Sequence, residues 1–357
     1  MKAAVYHGAR DVRIEERPTP VRGDGEVLLR VLRSGMCGTD ATEWRSGPHL
    51  FAIGDTPHPA SGHTGPLIFG HEFVGEVVEA GPGSSFSLGD RVASGAGVWC
   101  GECPRCREGR TNLCWKYRTL GLNMEGGMAE YVAAPEMMLA PIPADLPLDA
   151  AGLSQPLAVG LHAARRSGVA DGDRVVLIGS GAIGTFVLAA VLSLADAEVT
   201  VVDFAGPRLE RAGRLGASRL IATSDDVVAE VLKAVDPRGA DLVIEASGAP
   251  GQLANAIKMV RSGGTILQVG LPAAPPEVDV HSLVIREITL RTTNAHVFGQ
   301  DLAPALELLR HGTLAAELLD SVHPLDDIAE QLERLATGQL EGKVLFDPTL
   351  STERTQP

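Results

Sequence analysis

Arg174-Val175-Val176-Leu177-Ile178-Gly179-Ser180-Gly181-Ala182-Ile183-Gly184 is the stretch on which the fold turns. Five residues rich in β-branched side chains read as a buried strand. Three glycines then follow in a G-x-G-x-x-G pattern, and Ala182 to Leu194 is apolar enough to be a packed helix. The motif is common by chance, but here it stands between a strand and a helix. In that context the first glycine makes the tight turn, the second lets a pyrophosphate approach the backbone, and the third lets helix and strand pack closely. The free N–H groups of the helix start then face the phosphates. Gly179, Gly181, Ala182, Ile183 and Gly184 are therefore candidate dinucleotide contacts; the alternative is a glycine-rich turn that binds nothing.

The same alternation continues downstream. Glu198 to Val202 reads as a second strand, and Pro207 to Leu215 as an amphipathic helix closed by Gly216. Asp241 to Glu245 and Gly264 to Val269 read as further strands with a helical segment between them. Strands alternating with helices imply a parallel, doubly wound α/β sheet. Asp203 lies 19 residues beyond Gly184, where a carboxylate can accept hydrogen bonds from the adenosine ribose hydroxyls and would repel a 2'-phosphate. NAD is thus expected rather than NADP. Arg208 can serve the ribose or pyrophosphate, or simply be a solvated helix residue.

Upstream the character is different. Ala3 to Tyr6, Val27 to Leu32 and Phe73 to Glu79 are short strand-like runs bounded by Gly, Pro or Asp, as in a small barrel or sandwich. Ser46 to Pro66 holds four Gly, four Pro and three His without periodicity and reads as a long loop. After about residue 290 the alternation ends. Leu302 to Leu309 and Ile328 to Leu335 read as helices and Gly342 to Phe346 as a strand, which together can rejoin the N-terminal part. The last residues, Ser351 to Pro357, are polar and expected to be loose.

Four of the five cysteines fall within 15 residues, as Cys100, Cys103, Cys106 and Cys114. In a chain of 357 residues with ample core-forming capacity, clustered cysteines read as metal ligands rather than disulfides. Four thiolates make a closed, structural zinc site. Nucleic-acid zinc ribbons share such spacings, but a net charge of -14 and 4% aromatic residues argue against a nucleic-acid partner. The acidic balance equally disfavours an anionic membrane surface. No apolar run is long enough to span a bilayer and the N-terminus lacks a signal-peptide core, so the cytoplasm is the expected compartment. The solitary Cys37, followed by Gly38-Thr39-Asp40, and the Gly70-His71-Glu72 triplet supply one thiolate, one imidazole and one carboxylate. These can bind a second zinc and leave a fourth position open, as catalytic zinc requires.

Taken together, these motifs resemble the medium-chain zinc-dependent dehydrogenases over nearly the whole chain, with Gln155-Pro156-Leu157-Ala158-Val159 and His162-Ala163 as further matching features. The strongest likeness is to the polyol and 2,3-butanediol dehydrogenase branch, which carries a similar loop before its Gly-His-Glu motif. The resemblance implies a GroES-like catalytic domain over 1–152 and 295–357, with a structural zinc lobe at about 96–116, and a Rossmann domain over 153–294. It implies two zinc ions per chain, with Cys37, His71 and Glu72 at the catalytic ion. Glu72 is a ligand in some relatives and an outer carboxylate in others. Thr39 takes the place of the residue that relays the substrate proton. A homo-oligomer, tetramer or dimer, is expected, acting on a small alcohol or carbonyl.

Two residues depart from the family pattern. Gln155 stands where polyol relatives carry Glu, and Thr42 where a relay histidine is usual; His49, His58, His63 and His296 are possible substitutes. The expected activity is hydride transfer between a secondary alcohol, of diol or polyol type, and NAD. A carbonyl reductase of a specialised pathway and a non-catalytic zinc and dinucleotide binding protein are the competing expectations.

Overall fold

Val175 to Ile178 are almost fully buried, because the strand they belong to is flanked on both sides by other strands and covered on both faces. In the computed structural model, which describes residues 1–311 and 313–350, this strand is β1 (Arg174–Ile178) of a six-stranded parallel sheet. The others are β2 (Glu198–Asp203), β3 (Arg219–Ala222), β4 (Ala240–Glu245), β5 (Val260–Gln268) and β6 (Thr289–Thr292). Their spatial order is β3-β2-β1-β4-β5-β6. β1 pairs with both β2 and β4, so the strand order reverses beside it, and ligands of such sheets bind across the carboxyl ends at that switch point. Helix α1 (Ala182–Leu194) follows β1 directly, and α2 (Pro207–Arg214) follows β2. Four elements here lack an expectation from the sequence: β3, the helix α3 (Val227–Ala234), the short helix α4 (Val280–Ile285) and β6 after it. β3 and β6 are sheet edges with exposed side chains, and so lack the buried apolar run that marks β1 and β2.

Contacts divide the chain into two units, residues 1–155 with 297–357 and residues 156–296. The first unit is β-rich. Its larger sheet runs Leu139–Pro141, Arg91–Ser94, Glu72–Glu79, Glu26–Gly35, Lys343–Phe346, Leu319–His323, with Tyr131–Pro135 also paired to Glu26–Gly35. A three-stranded sheet is formed by Asp11–Glu16, Lys2–Gly8 and Leu67–Ile68. The late strand Lys343–Phe346 pairs antiparallel with Glu26–Gly35, and Gly35 is in turn the register partner of Glu72. That register brings the C-terminal part of the chain against the Gly-His-Glu motif. The expected helices near 302–309 and 328–335 are Phe298–Arg310 and Ile328–Ala336. Residues 46–66 form neither helix nor strand beyond Ser46 itself. Ser351 to Pro357 lie outside the described residues. No described helix is long and apolar enough to cross a membrane.

Candidate metal centres and cofactor site

Cys37 precedes the helix Gly38–Ser46 and is its N-cap. Asp40, in the first turn, accepts a hydrogen bond from the Cys37 backbone N–H at 2.8 Å, which fixes the helix start and the cysteine with it. His71 follows Gly70, whose φ of +95° and close approach to Met128 admit only glycine. Cys37, His71 and Glu72 each offer a ligand atom, and these atoms lie within 4.8 Å of one another. Asp40 Oδ1 stands 3.8 Å from His71 Nδ1. A carboxylate behind a ligating imidazole is the usual means of fixing its tautomer and ring plane.

Lys343 completes this group. Its Nζ lies 2.5 Å from Glu72 Oε2 and donates to the Met36 carbonyl at 2.6 Å, with both charged side chains almost fully buried. Burial opposes the charge on Lys343, yet Glu72, Cys37 and Asp40 outweigh it and raise its pKa. Burial likewise depresses the His71 pKa, but the Cys37 thiolate, Asp40 and Glu72 lift it to about 9. Burial pushes Asp40 up to about 6. A metal ligand set needs Cys37 deprotonated and His71 neutral, and in that state Cys37, Asp40 and Glu72 against one ammonium leave two negative charges in a buried pocket, an expensive state unless a dication fills it. His71 Nδ1 and Asp40 Oδ1 also have no hydrogen-bond partner despite being buried. The donor set fits zinc.

The four-cysteine lobe has the dimensions of a thiolate tetrahedron. Three of the sulfur separations are 3.5, 3.6 and 4.0 Å, against about 3.8 Å for the edge of a tetrahedron with 2.3 Å Zn–S bonds. The backbone N–H groups of Cys100 and Lys116 donate to Cys114 Sγ at 3.2 and 3.3 Å. A backbone hydrogen bond from Trp115 helps bring Cys103 down to about 6, while burial and the other sulfurs push Cys106 up to about 12. Sulfurs this close cannot all ionise without a cation among them. Replacing Cys106 with serine should remove one zinc per chain by elemental analysis and lower Tm by about 5 °C or more. Unchanged zinc content in that variant would refute the assignment.

In the second unit, Gly179 has φ +92°, and a Cβ there would lie 2.9 Å from Ser247. A Cβ at Gly184 would collide with the Gly179 carbonyl. Gly181, the N-cap of α1, instead faces open space, with no side chain capping the helix. This is the cradle that a phosphate needs. Asp203, at the end of β2, accepts from the Ser180 N–H at 2.6 Å and the Ser180 hydroxyl at 2.7 Å through Oδ2, and from Phe204 N–H at 2.7 Å through Oδ1. Buried Arg211 reaches the Ser180 carbonyl at 3.4 Å. Arg208 is half-buried in the first turn of α2.

Reasoning from sequence alone gave no role to Asp40, Lys343, Ser180 or Arg211. A lysine inside the apolar Lys343–Phe346 run was the one available signal for Lys343, since buried lysines need a partner. Thr39 Oγ1 lies 3.9 Å from Cys37 Sγ, while Thr42 spends its hydroxyl on the Gly38 carbonyl at 3.0 Å. Gln155 is buried near the start of the helix Ser154–Ser167. Among the described residues, His49, His58, His63 and His296 do not join the Cys37 group. His49 is exposed and meets Ser46, His58 bonds Ser61, and His296 is buried in the other unit.

The model of the alcohol dehydrogenase GroES-like domain matches residues 23–144, and that of zinc-binding dehydrogenases matches residues 182–311. Sorbitol dehydrogenase of Bacillus subtilis is 31% identical over 338 residues, 94% of this chain and 93% of the relative. The chain belongs to the zinc-dependent medium-chain alcohol dehydrogenases. A further member of this family, the (R,R)-butanediol dehydrogenase of Bacillus subtilis, is 34% identical over 336 residues, 93% of this chain and 94% of the relative. The crystal structure of 2R,3R-butanediol dehydrogenase from that organism matches with a TM-score of 0.88 and 31% identity, covering 98% of this chain and 99% of that one. This medium-chain dehydrogenase is thus an enzyme, a zinc-dependent alcohol oxidoreductase built from a GroES-like unit and a Rossmann-type sheet, and its cysteine cluster fits the structural zinc of such proteins.

Proposed function

We propose that this dehydrogenase oxidises a secondary alcohol of diol or polyol type with NAD, using a zinc held by Cys37, His71 and Glu72. The observation that carries the reading is the meeting of these three zinc-competent groups within 4.8 Å, with neutralising charge behind them and only three ligands supplied. Bound zinc supplies a Lewis acid that lowers an alcohol's pKa, and bound NAD supplies the hydride acceptor. Asp40 orients His71, Lys343 restrains Glu72, and Thr39 Oγ1 relays the substrate proton, accepting it while giving its own hydroxyl proton on toward solvent. Asp203 receives the ribose hydroxyls, and Gly179, Gly181, Ala182, Ile183 and Gly184 bind the pyrophosphate with help from Arg208. We assign the metal chemistry to 1–152 with 295–357 and cofactor binding to 153–294. Purified protein is expected to reduce NAD with vicinal diols or polyols; no turnover on these or on simple secondary alcohols would overturn the substrate class.

Gln155 favours a second reading, a carbonyl reductase. A neutral residue where polyol relatives carry Glu leaves the metal site one negative charge poorer and the ion more electrophilic. A far higher rate on ketones with NADH than on any alcohol with NAD would select it.

We also propose a cytoplasmic homo-oligomer, a dimer or tetramer. The thiol-based metal groups suit a reducing compartment. Edge strand β6 is exposed along its length, and shortly before it in sequence lie Val280 (60% exposed), Val284 (67%) and Ile285 (69%). An unpaired edge flanked by apolar residues is a template for pairing with a second copy. The double substitution Val284→Asp, Ile285→Lys should yield a smaller species in analytical ultracentrifugation, and an unchanged mass would rule out this face.

A further inference from the structure

At the end of β4, Glu245 is almost fully buried, and every partner of its carboxylate is a donor. Oε1 accepts from Ser247 N–H at 2.8 Å, from Gly248 N–H at 3.0 Å and from the Ser247 hydroxyl; Oε2 accepts from Gly248 N–H at 3.1 Å and from Gln268 Nε2. Gln268, at the end of β5, is held in that orientation by a second bond from Nε2 to the Gly270 carbonyl at 2.7 Å. A side chain that only accepts is a carboxylate. Among the described residues no lysine, arginine or histidine pairs with it. Arg174, Arg238 and Arg261 are engaged by Asp236 and Asp241, and Asp241 opens the same strand at its other end. Such donors hold the carboxylate in its charged form, and with no cation of the protein beside it the charge is free to act on a positive group brought by a ligand.

The sheet order says where that charge sits. A dinucleotide crosses the carboxyl ends of such a sheet at the switch point, one mononucleotide over each half. Asp203, at the end of β2, takes the adenosine half, so the ends of β4 and β5 lie under the nicotinamide half. Ser247, bonded to Glu245, is also the residue that packs on Gly179 of the phosphate turn.

We propose that Glu245 is an electrostatic positioning residue that favours oxidised over reduced cofactor. This rests on the NAD reading above and adds a direction to it. The nicotinamide ring is cationic in NAD+ and neutral in NADH, so a fixed negative charge on a buried side chain below it favours the oxidised form. NAD+ is then captured and NADH released, which suits alcohol oxidation.

The test is titration calorimetry of the zinc-loaded protein with NAD+ and with NADH, for wild type and Glu245→Gln. The Kd ratio, NAD+ over NADH, should rise at least threefold in the variant. Equal weakening of both, or no change, would overturn the proposal and leave Glu245 a purely structural residue. The charge-swapped variant Glu245→Gln, Gln268→Glu keeps one carboxylate in the cluster and guards against misfolding of the single variant. Its ratio should return to within twofold of wild type, and a ratio still shifted would also overturn the proposal. Failure of wild-type protein to bind either cofactor would instead reject the NAD reading itself, and this proposal with it.

Discussion

Cys37→Ser should leave one zinc per chain instead of two and reduce kcat at least about a thousandfold. The argument begins with charge. Among the described residues, Cys37, Asp40 and Glu72 are the anions of a pocket in which Lys343 is the one buried ammonium ion. Removing a thiolate takes away both a ligand and a third of the negative charge that attracts the dication. Metal polarisation of a reacting oxygen contributes several kcal/mol, and about 4 kcal/mol is a thousandfold in rate. Because Cys100, Cys103, Cys106 and Cys114 are a separate group, their zinc should stay. Elemental analysis after desalting, together with Tm, separates loss of the catalytic ion from loss of fold. A variant with two zinc ions and an intact rate would remove Cys37 from the mechanism.

Asp203→Ser should raise the KM for NAD roughly 10- to 100-fold and make NADP a competitive cofactor. Charge-assisted hydrogen bonds to ribose contribute about 1.5–3 kcal/mol, which sets this range, and removing the carboxylate also removes its repulsion of a 2'-phosphate. The effect should not be confined to the ribose. Asp203 Oδ2 also holds Ser180, between the first two glycines of the motif, through both backbone N–H and hydroxyl. Affinity for ADP, which lacks the nicotinamide but keeps ribose and pyrophosphate, should therefore fall alongside that for NAD. Steady-state kinetics with both cofactors and fluorescence titration with ADP would check this. An unchanged preference for NAD over NADP would mean that another residue selects the cofactor.

What could be read from sequence followed local chemistry. The Gly179 motif, the cysteine spacing and the Cys37 and His71 triplets each declare themselves within a few residues, because turn geometry and ligand type are local properties. β1, β2 and β4 were legible because burial on both faces makes a continuous apolar run. β3 and β6 were not, since edge strands carry mixed, exposed side chains. The partners of the site were hidden for a different reason. Lys343 meets Glu72 only because two antiparallel registers align across the sheet, and Arg211 meets Ser180 only because α2 folds back over the motif. Such contacts depend on packing, which periodicity and composition do not encode.

The bond from Lys343 to the Met36 carbonyl joins residues 307 positions apart. On the ribosome, Cys37, Asp40, His71 and Glu72 emerge long before the lysine that balances them. A nascent chain thus carries an over-negative, unfinished cup open to divalent ions. Only when the Lys343–Phe346 strand joins the sheet does the cup acquire its balancing charge, so the metal group is complete only after that strand has been made.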